Sequence, residues 1–189
     1  LAMLNAWASG KQPWDYESVA DDVRQIIRLR LRLLPYLYTA FANYFRFGIP
    51  PMRAMVLEQG SPDAPANTVS AELDDVTNPY AQVTELEQDD QFMFGPSILV
   101  APYYEGQTLK RAVRLPRGNW YDFYSGDYVV SGRVAPFVVS TPERFPLFVK
   151  VGAVVPLLTE QVNKTRQAYT NPLELRHYGE RPGSFELYE

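Results

Sequence analysis

One amphipathic stripe over residues 18–47 limits the fold of this chain more than any other feature. Its apolar side chains recur at a spacing of three and four residues, which is the period of one face of an α-helix. These side chains are Val19, Val23, Ile26, Ile27, Leu34, Leu37, Tyr38, Phe41 and Phe45. Gly48, with two prolines shortly after it, marks the predicted end of the helix. Pro35 lies inside the stripe and removes one internal hydrogen bond, so we expect a kink there or two abutting helices.

After Gly95 the pattern changes to short apolar runs that are separated by turn residues, which is typical of β-strands. The strands that we predict, including one before Gly95, lie at residues 52–58, 97–102, 111–115, 120–124, 128–130, 136–139, 146–150, 173–178 and 184–188. Regular short strands of this kind favour a sandwich of two sheets. The predicted fold class is therefore mainly β, an antiparallel β-sandwich preceded by an N-terminal helical segment.

The composition excludes several classes of function. With 46% hydrophobic residues, a net charge of −4 and no basic cluster beyond Arg28, Arg30 and Arg32, neither disorder nor nucleic-acid binding is expected. The chain contains no cysteine, which excludes disulfides, thiol catalysis and cysteine metal sites. No apolar run reaches the roughly 18 residues that a membrane helix needs, so no membrane partner is expected.

Few residues are candidates for catalysis. The single histidine, His177, lies in a predicted strand without a second histidine or a cysteine to share a metal ion, and we expect no cofactor. Glycoside hydrolysis requires two carboxylates roughly 5 to 10 Å apart across the scissile bond. The pairs Asp74-Asp75 and Asp89-Asp90 do not suit this need, because adjacent side chains of an extended segment point to opposite faces.

Arg53 stands in the predicted apolar strand at 52–58, where burying a lone cation would be unfavourable. Asp89 or Asp90 is the carboxylate that we expect to pair with it. Removing one partner of a buried pair of this kind destabilises a protein by about 3 to 5 kcal/mol. The acidic run that ends at Asp90 is accordingly interpreted as a solvated loop that docks at its end.

The aromatic residues around Trp120 allow two interpretations. In an extended strand Trp120, Asp122 and Tyr124 share one face, whereas Tyr121 and Phe123 share the other. One face must belong to the core. The other face either stacks against a sugar or packs against a neighbouring domain.

Three stretches, in this order and spacing, resemble the C-terminal third of family 31 glycoside hydrolases. They are LLPYLY at 33–38, DQFMFGPS at 90–97 and NWYDFYSG at 119–126. PMR at 51–53, ILVAP at 98–102 and PLFVKVGA at 146–153 extend the resemblance along the chain. It implies that residues 1–51 end a (β/α)8 barrel with its last helix. Residues 52–158 would then form the proximal C-terminal β-sandwich, with an inserted loop at 59–88, and residues 159–189 a linker and the start of a distal β-domain.

By that resemblance, the parent enzyme hydrolyses α-linked sugars with retention. One aspartate would form a covalent glycosyl intermediate, and a second would act first as acid and then as base. Both aspartates are expected upstream of Leu1, so the resemblance assigns no catalytic residue to this chain. The implied partners are the rest of the catalytic barrel and an α-linked oligosaccharide or glycoside.

One site motif of the family is expected within the chain. Where members usually carry Arg-x-His, this sequence reads Met3-Leu4-Asn5. Asn5 can still donate and accept hydrogen bonds, although it is shorter than histidine and never charged. Asn5 is therefore the one candidate substrate-binding residue, and the change points to a sugar other than ordinary glucose. The alternative is that Asn5 is a loop or cap residue remote from the sugar.

The chain starts at Leu1 without a methionine and stops within a predicted strand, which predicts an internal segment of a longer protein. We expect this segment to act as a scaffold that closes the barrel and to be inactive when isolated. The alternative is a stand-alone, non-catalytic carbohydrate-binding or interaction module whose binding face lies on the Trp120 strand. The sequence does not indicate a cellular compartment.

Overall fold

The computed structural model describes residues 17–58, 91–102, 110–116, 118–129, 134–138, 146–159 and 172–188. Two α-helices come first, α1 at Ala20–Arg32 and α2 at Leu34–Phe47, and a 3-10 turn at Glu17–Val19 precedes them. The strands are β1 Met52–Ala54, β2 Phe92–Phe94, β3 Ile98–Val100, β4 Lys110–Arg114, β5 Trp120–Asp122, β6 Tyr128–Val129, β7 Val134–Val138, β8 Leu147–Lys150, β9 Val154–Leu158 and β10 Leu173–His177.

The two helices abut at Leu33, and the predicted division of the stripe is confirmed. Pro35 lies in the first turn of α2, where backbone N–H groups have no partner within the helix, so the proline is tolerated there. α2 ends at Gly48, which has a left-handed φ of 72° and donates its amide to the carbonyl of Tyr44. The predicted helix end is confirmed as well.

Six strands form one antiparallel sheet in the order β1-β2-β3-β8-β5-β6. The other described strands form two antiparallel pairs, β4 with β7 and β9 with β10. Across the centre of the large sheet Met93 lies opposite Leu99, and Leu99 lies opposite Phe148. Because side chains alternate between the faces of a strand, this register places neighbouring residues on opposite sides of the sheet.

The two faces of the large sheet bury different clusters. On one face the buried cluster comprises Met55, Met93, Leu99, Ala101, Val113, Leu115, Trp120 and Phe148, so this face packs towards β4. On the other face it comprises Leu33, Tyr36, Phe94, Ile98, Phe123, Leu147, Val149, Ala153, Val155, Leu157 and Tyr178. The second face therefore carries the helices together with β9. The predicted fold class, a β-sandwich preceded by helices, is confirmed.

Two predicted strands need correction. The strand predicted at 52–58 ends at Ala54, and a 3-10 turn at Met55–Glu58 follows because Met55 packs into the core and Glu58 turns back to Arg53. Residues 184–188 form no strand, since the side chain and backbone contacts of this segment are made with α2. The sequence pattern also missed β2 and β9, whereas the other predicted strands are confirmed within two residues at each end.

Candidate functional site

The candidate sugar-binding residue and the acidic pairs lie outside the described residues. This holds for Asn5, for Asp74-Asp75 and for Asp89-Asp90, and also for the inserted loop that was predicted at 59–88. The expected pairing of Arg53 with Asp89 or Asp90 therefore stays a prediction.

Arg53 has a different carboxylate beside it in the described structure. Its Nε atom donates to Oε1 of Glu58 at 2.6 Å, and its Nη1 atom lies 3.4 Å from the carbonyl oxygen of Pro50. Lys150 Nζ lies 3.7 Å from Oε2 of the same Glu58, so one carboxylate faces two cations. Arg53 and Glu58 side chains are each only 12% exposed. This cluster joins β1 to β8 and explains how a charged strand residue is accommodated.

Trp120 is fully buried, so its face of the strand belongs to the core and its indole offers no sugar-stacking platform. Its indole Nε1 donates to the carbonyl of Pro116 at 2.8 Å, and Lys150 Nζ lies 5.7 Å from its ring centroid. The exposed aromatic residue of this region is Tyr128 on β6, which meets Tyr121 edge to face at a centroid distance of 5.6 Å. The Trp120 side of β5 therefore faces the core between the large sheet and β4, while the neighbouring Phe123 is buried in the cluster on the other face.

His177 is an exposed residue at the end of β10, as its position in a predicted strand suggested. Its Nε2 atom lies 2.8 Å from the carbonyl oxygen of Arg181, so the ring stabilises the turn that follows β10. Among the described residues, no group of three histidine, aspartate or glutamate side chains is placed to hold a metal ion. Neither described helix is long and apolar enough to cross a membrane.

A buried polar contact joins α2 to the sandwich at Tyr36. This side chain is completely buried, and its Oη atom donates to the carbonyl of Phe94 and accepts the amide of Ser97, each at 2.9 Å. Burial strongly raises the pKa of Tyr36, so the phenol stays protonated and can keep both roles. Sequence reasoning did not single out Tyr36, although its place in the quoted LLPYLY stretch was a signal.

A second polar contact joins the end of α1 to the strand pair β9-β10. Arg32 Nε donates to the carbonyl of Leu158 at 2.9 Å, and Arg32 Nη2 donates to Glu174 Oε2 at 2.5 Å. Arg176 Nε donates to the other carboxylate oxygen of Glu174 at 2.6 Å. The hydrogen bond from Arg176, together with the charges of both arginines, lowers the pKa of Glu174. Arg32, one of the three arginines at the end of α1, is therefore salt-bridged to the sandwich.

The opposite face of α2 exposes large aromatic side chains. Tyr38 and Phe41 are each 53% exposed and Phe45 is 91% exposed, whereas Thr39 and Ala40 on the sandwich side are buried. At spacings of three and four residues the exposed rings share one side of the helix. Exposed apolar surface of this kind is common where a protein contacts another protein, a membrane or a ligand.

Comparisons with known proteins agree on the family. The family model described as the glycosyl hydrolase family 31 C-terminal domain matches residues 48–155, and the one described as the family 31 TIM-barrel domain matches residues 2–40. An alpha-xylosidase from Saccharolobus solfataricus is 34% identical over 181 residues, which are 95% of this chain and 22% of that enzyme. An alpha-glucosidase 2 from Bacillus thermoamyloliquefaciens is 30% identical over 78% of this chain and 16% of its own length.

Solved structures show the same relationship. The family 31 alpha-xylosidase of Xanthomonas citri superposes with a TM-score of 0.68 at 30% identity, over 96% of this chain and 17% of that one. The cycloalternan-forming enzyme of Listeria monocytogenes shares the fold over the whole chain, with a TM-score of 0.75. This chain spans about a fifth of the length of these relatives. On the C-terminal domain match, which covers more than half of its residues, the chain belongs to glycosyl hydrolase family 31.

Proposed function

We propose that this chain is the C-terminal scaffold of a retaining α-glycosidase, and that the catalytic aspartates lie in the barrel outside these residues. The relatives named alpha-xylosidase and alpha-glucosidase support the reaction class. The observation that carries the structural role is the contact at Tyr36. Tyr36 belongs to the segment matched to the barrel, and its hydrogen-bond partners Phe94 and Ser97 belong to the segment matched to the C-terminal domain.

In this proposal α2 packs against two domains, with one side on the sandwich and the other on the barrel. One side of the helix contributes Leu33 and Tyr36 to the core of the sandwich. The rest of the barrel would cover the exposed rings of Tyr38, Phe41 and Phe45 on the other side, because burying them removes a large apolar area from water. The scaffold thereby holds the last barrel helix in place. Residues 159–189 would lead into a distal β-domain.

The first experiment tests catalysis by the 189-residue chain itself. The purified chain is assayed with 4-nitrophenyl α-glucoside and 4-nitrophenyl α-xyloside, with the whole parent enzyme as the positive control. We expect turnover by the parent and none by the chain. Hydrolysis by the pure chain would overturn the assignment of the catalytic pair to other residues.

A second experiment tests the contact between α2 and the barrel. The parent's remaining residues are co-expressed with this chain as two polypeptides, and association is followed by co-purification and by recovered activity. We expect Phe45→Ser to weaken association, because it removes the most exposed ring on the helix. Leu175→Ser on β10 is the matched control, since Leu175 is 64% exposed on another element. Equal association of both variants with the barrel would contradict the docking role.

Asn5 is proposed as a sugar-binding residue of the parent active site, in the position where family members usually carry histidine. The amide would bind one hydroxyl or acyl oxygen of the sugar that is cleaved. In the parent enzyme Asn5→Ala is expected to raise KM for the true substrate, and Asn5→His to improve the use of α-glucosides. Unchanged KM in both variants would place Asn5 away from the sugar.

The competing proposal is a stand-alone carbohydrate-binding module. It has little support at Trp120, because a fully buried indole offers no face to a sugar. Titration of the chain with isomaltotriose, followed by tryptophan fluorescence and by calorimetry, separates the two proposals. A scaffold gives no saturable signal. Saturable binding by the isolated chain would favour the module.

A further inference from the structure

Residues 182–188, which we call the strap, run along α2 after leaving the sandwich. The aromatic ring of Phe185 stacks on Tyr36 with a centroid distance of 5.6 Å and an interplanar angle of 24°. The backbone amide of Tyr188 donates to Oγ1 of the buried Thr39 at 3.1 Å. The strap thus contacts the helix at two positions that lie on its sandwich side, and it completes the burial of both.

The far end of the strap is held by a cation. The guanidinium of Arg46 lies 5.3 Å from the ring centroid of Phe47 and 5.0 Å from that of Tyr188. The carboxylate of Glu186 lies 4.0 Å from Arg46 Nη1. A guanidinium near two aromatic rings is attracted by the negative face of each ring. This contact joins the last turn of α2 to the end of the strap.

The near end of the strap is fixed to the sandwich by a backbone contact. Gly183 packs directly against the carbonyl group of Gly152, so no side chain fits at this position without displacing the backbone. Gly152 lies in the turn between β8 and β9, and its own amide donates to the carbonyl of Tyr178 at 2.7 Å. The close contact at Gly183 therefore holds the near end of the strap against the sandwich.

We propose that the strap is a conformational clamp that holds α2 against the sandwich, and that its release loosens α2 without unfolding the large sheet. Three of its contacts, those of Phe185, Tyr188 and the Arg46 group, are made with the helix. The outer face of α2 carries the exposed rings and makes no comparable contact within the described part of the chain. Segments with few buried apolar contacts are the ones that open locally at low free energy, and one face of α2 lacks such contacts in the described structure. The inference does not depend on the proposed catalytic reaction.

Hydrogen exchange of the 189-residue chain tests this clamp. The variant Gly183→Ala detaches the near end of the strap by a clash with a backbone carbonyl. Phe185→Ala is the second variant, because it removes the stacking contact and leaves the backbone unchanged. In both variants we expect the α2 amides to exchange about tenfold faster, while amides of β3 and β8 change by less than about twofold.

Ser184→Ala is the matched control, since Ser184 is an exposed neighbour in the same segment. It is expected to exchange like the unchanged chain in both regions. The proposal is overturned if α2 and the large sheet accelerate together, which would indicate global destabilisation, or if α2 keeps its protection in Phe185→Ala. If Gly183→Ala does not fold, Phe185→Ala and Thr39→Val, which removes the acceptor of the Tyr188 amide, decide between these outcomes.

Discussion

The ring of Tyr36 occupies the space in which Gly95 would carry a side chain. A Cβ atom at Gly95 would lie 2.5 Å from both Cε1 and Oη of Tyr36, and Gly95 itself has a left-handed φ of 61°. The glycine and the tyrosine are therefore a matched pair. Gly95 lets the backbone turn and leaves the space beside it free, and the buried ring of Tyr36 fills that space.

Replacing Gly95 with alanine is expected to be among the most destabilising small changes in the chain. The left-handed conformation costs roughly 1 to 2 kcal/mol for a residue with a Cβ atom. The contact with the Tyr36 ring adds about 1 to 3 kcal/mol of overpacking. Urea unfolding measures the sum. Gly126→Ala is the control, because Gly126 has a φ of 75° but nothing within 4 Å of its Cβ position. Equal losses in both variants would contradict the steric role of Tyr36.

Removing the hydroxyl of Tyr36 tests the polar half of the same contact. Tyr36→Phe leaves the amide of Ser97 and the carbonyl of Phe94 without this partner, at an expected loss of about 1 to 3 kcal/mol. Chemical denaturation with an unchanged m-value is the measurement. Tyr38→Phe, on the exposed side of α2, is expected to change stability by less than about 0.5 kcal/mol. A Tyr36→Phe variant that is as stable as the unsubstituted 189-residue chain would show that water replaces both hydrogen bonds.

The Arg53 and Glu58 pair is suited to a double-mutant cycle. Each single change to methionine removes one partner of an ion pair whose side chains are each only 12% exposed, so we expect a loss of about 3 to 5 kcal/mol. The loss of stability in the double variant should be smaller than the sum of the two single losses, by about 1 to 3 kcal/mol. Additive losses would show that Lys150, at 3.7 Å from Glu58, or another group carries the interaction instead.

The carboxylate of Glu174 is expected to make stability depend on pH. Its pKa is lowered in the folded chain, chiefly by the hydrogen bond from Arg176, so the unfolded chain binds this proton more tightly. The stabilisation is therefore present above the ordinary value of 4.5 and is lost as the pH falls through the lowered pKa. Because the side chain is 35% exposed, solvent screening limits the effect to about 1 kcal/mol.

Glu174→Gln is the corresponding variant. At pH 7 it should be less stable than the unsubstituted 189-residue chain, and this difference should vanish in acid. Urea unfolding at several pH values measures the difference. Glu180→Gln, an exposed change three residues beyond β10, should match the unsubstituted chain at every pH. A Glu174→Gln difference that stays constant over the whole acid range would mean that shape and not charge is responsible.

Periodic patterns in the sequence predicted the backbone well. The stripe at residues 18–47, the interruption near Pro35 and the end at Gly48 all appear in the helices. Most strands appear within two residues of the predicted bounds. These features depend on neighbours along the chain, because helix and strand periods and turn residues are local properties. The quoted stretches also carried the family, which the C-terminal domain match confirms.

Sequence patterns did not predict the contacts between residues that are distant along the chain. The sequence left open which face of the Trp120 strand is core, and the packing of β4 against the large sheet places Trp120 in the core. Among the described residues the carboxylate beside Arg53 is Glu58, because the chain turns at Met55 instead of continuing as a strand. Residues 184–188 have the composition of a strand but find a helix as their neighbour. The sequence alone determined the two helices, most of the strands and the family to which they belong. The tertiary structure decided which faces are covered and which charges meet, since both depend on how distant segments approach one another.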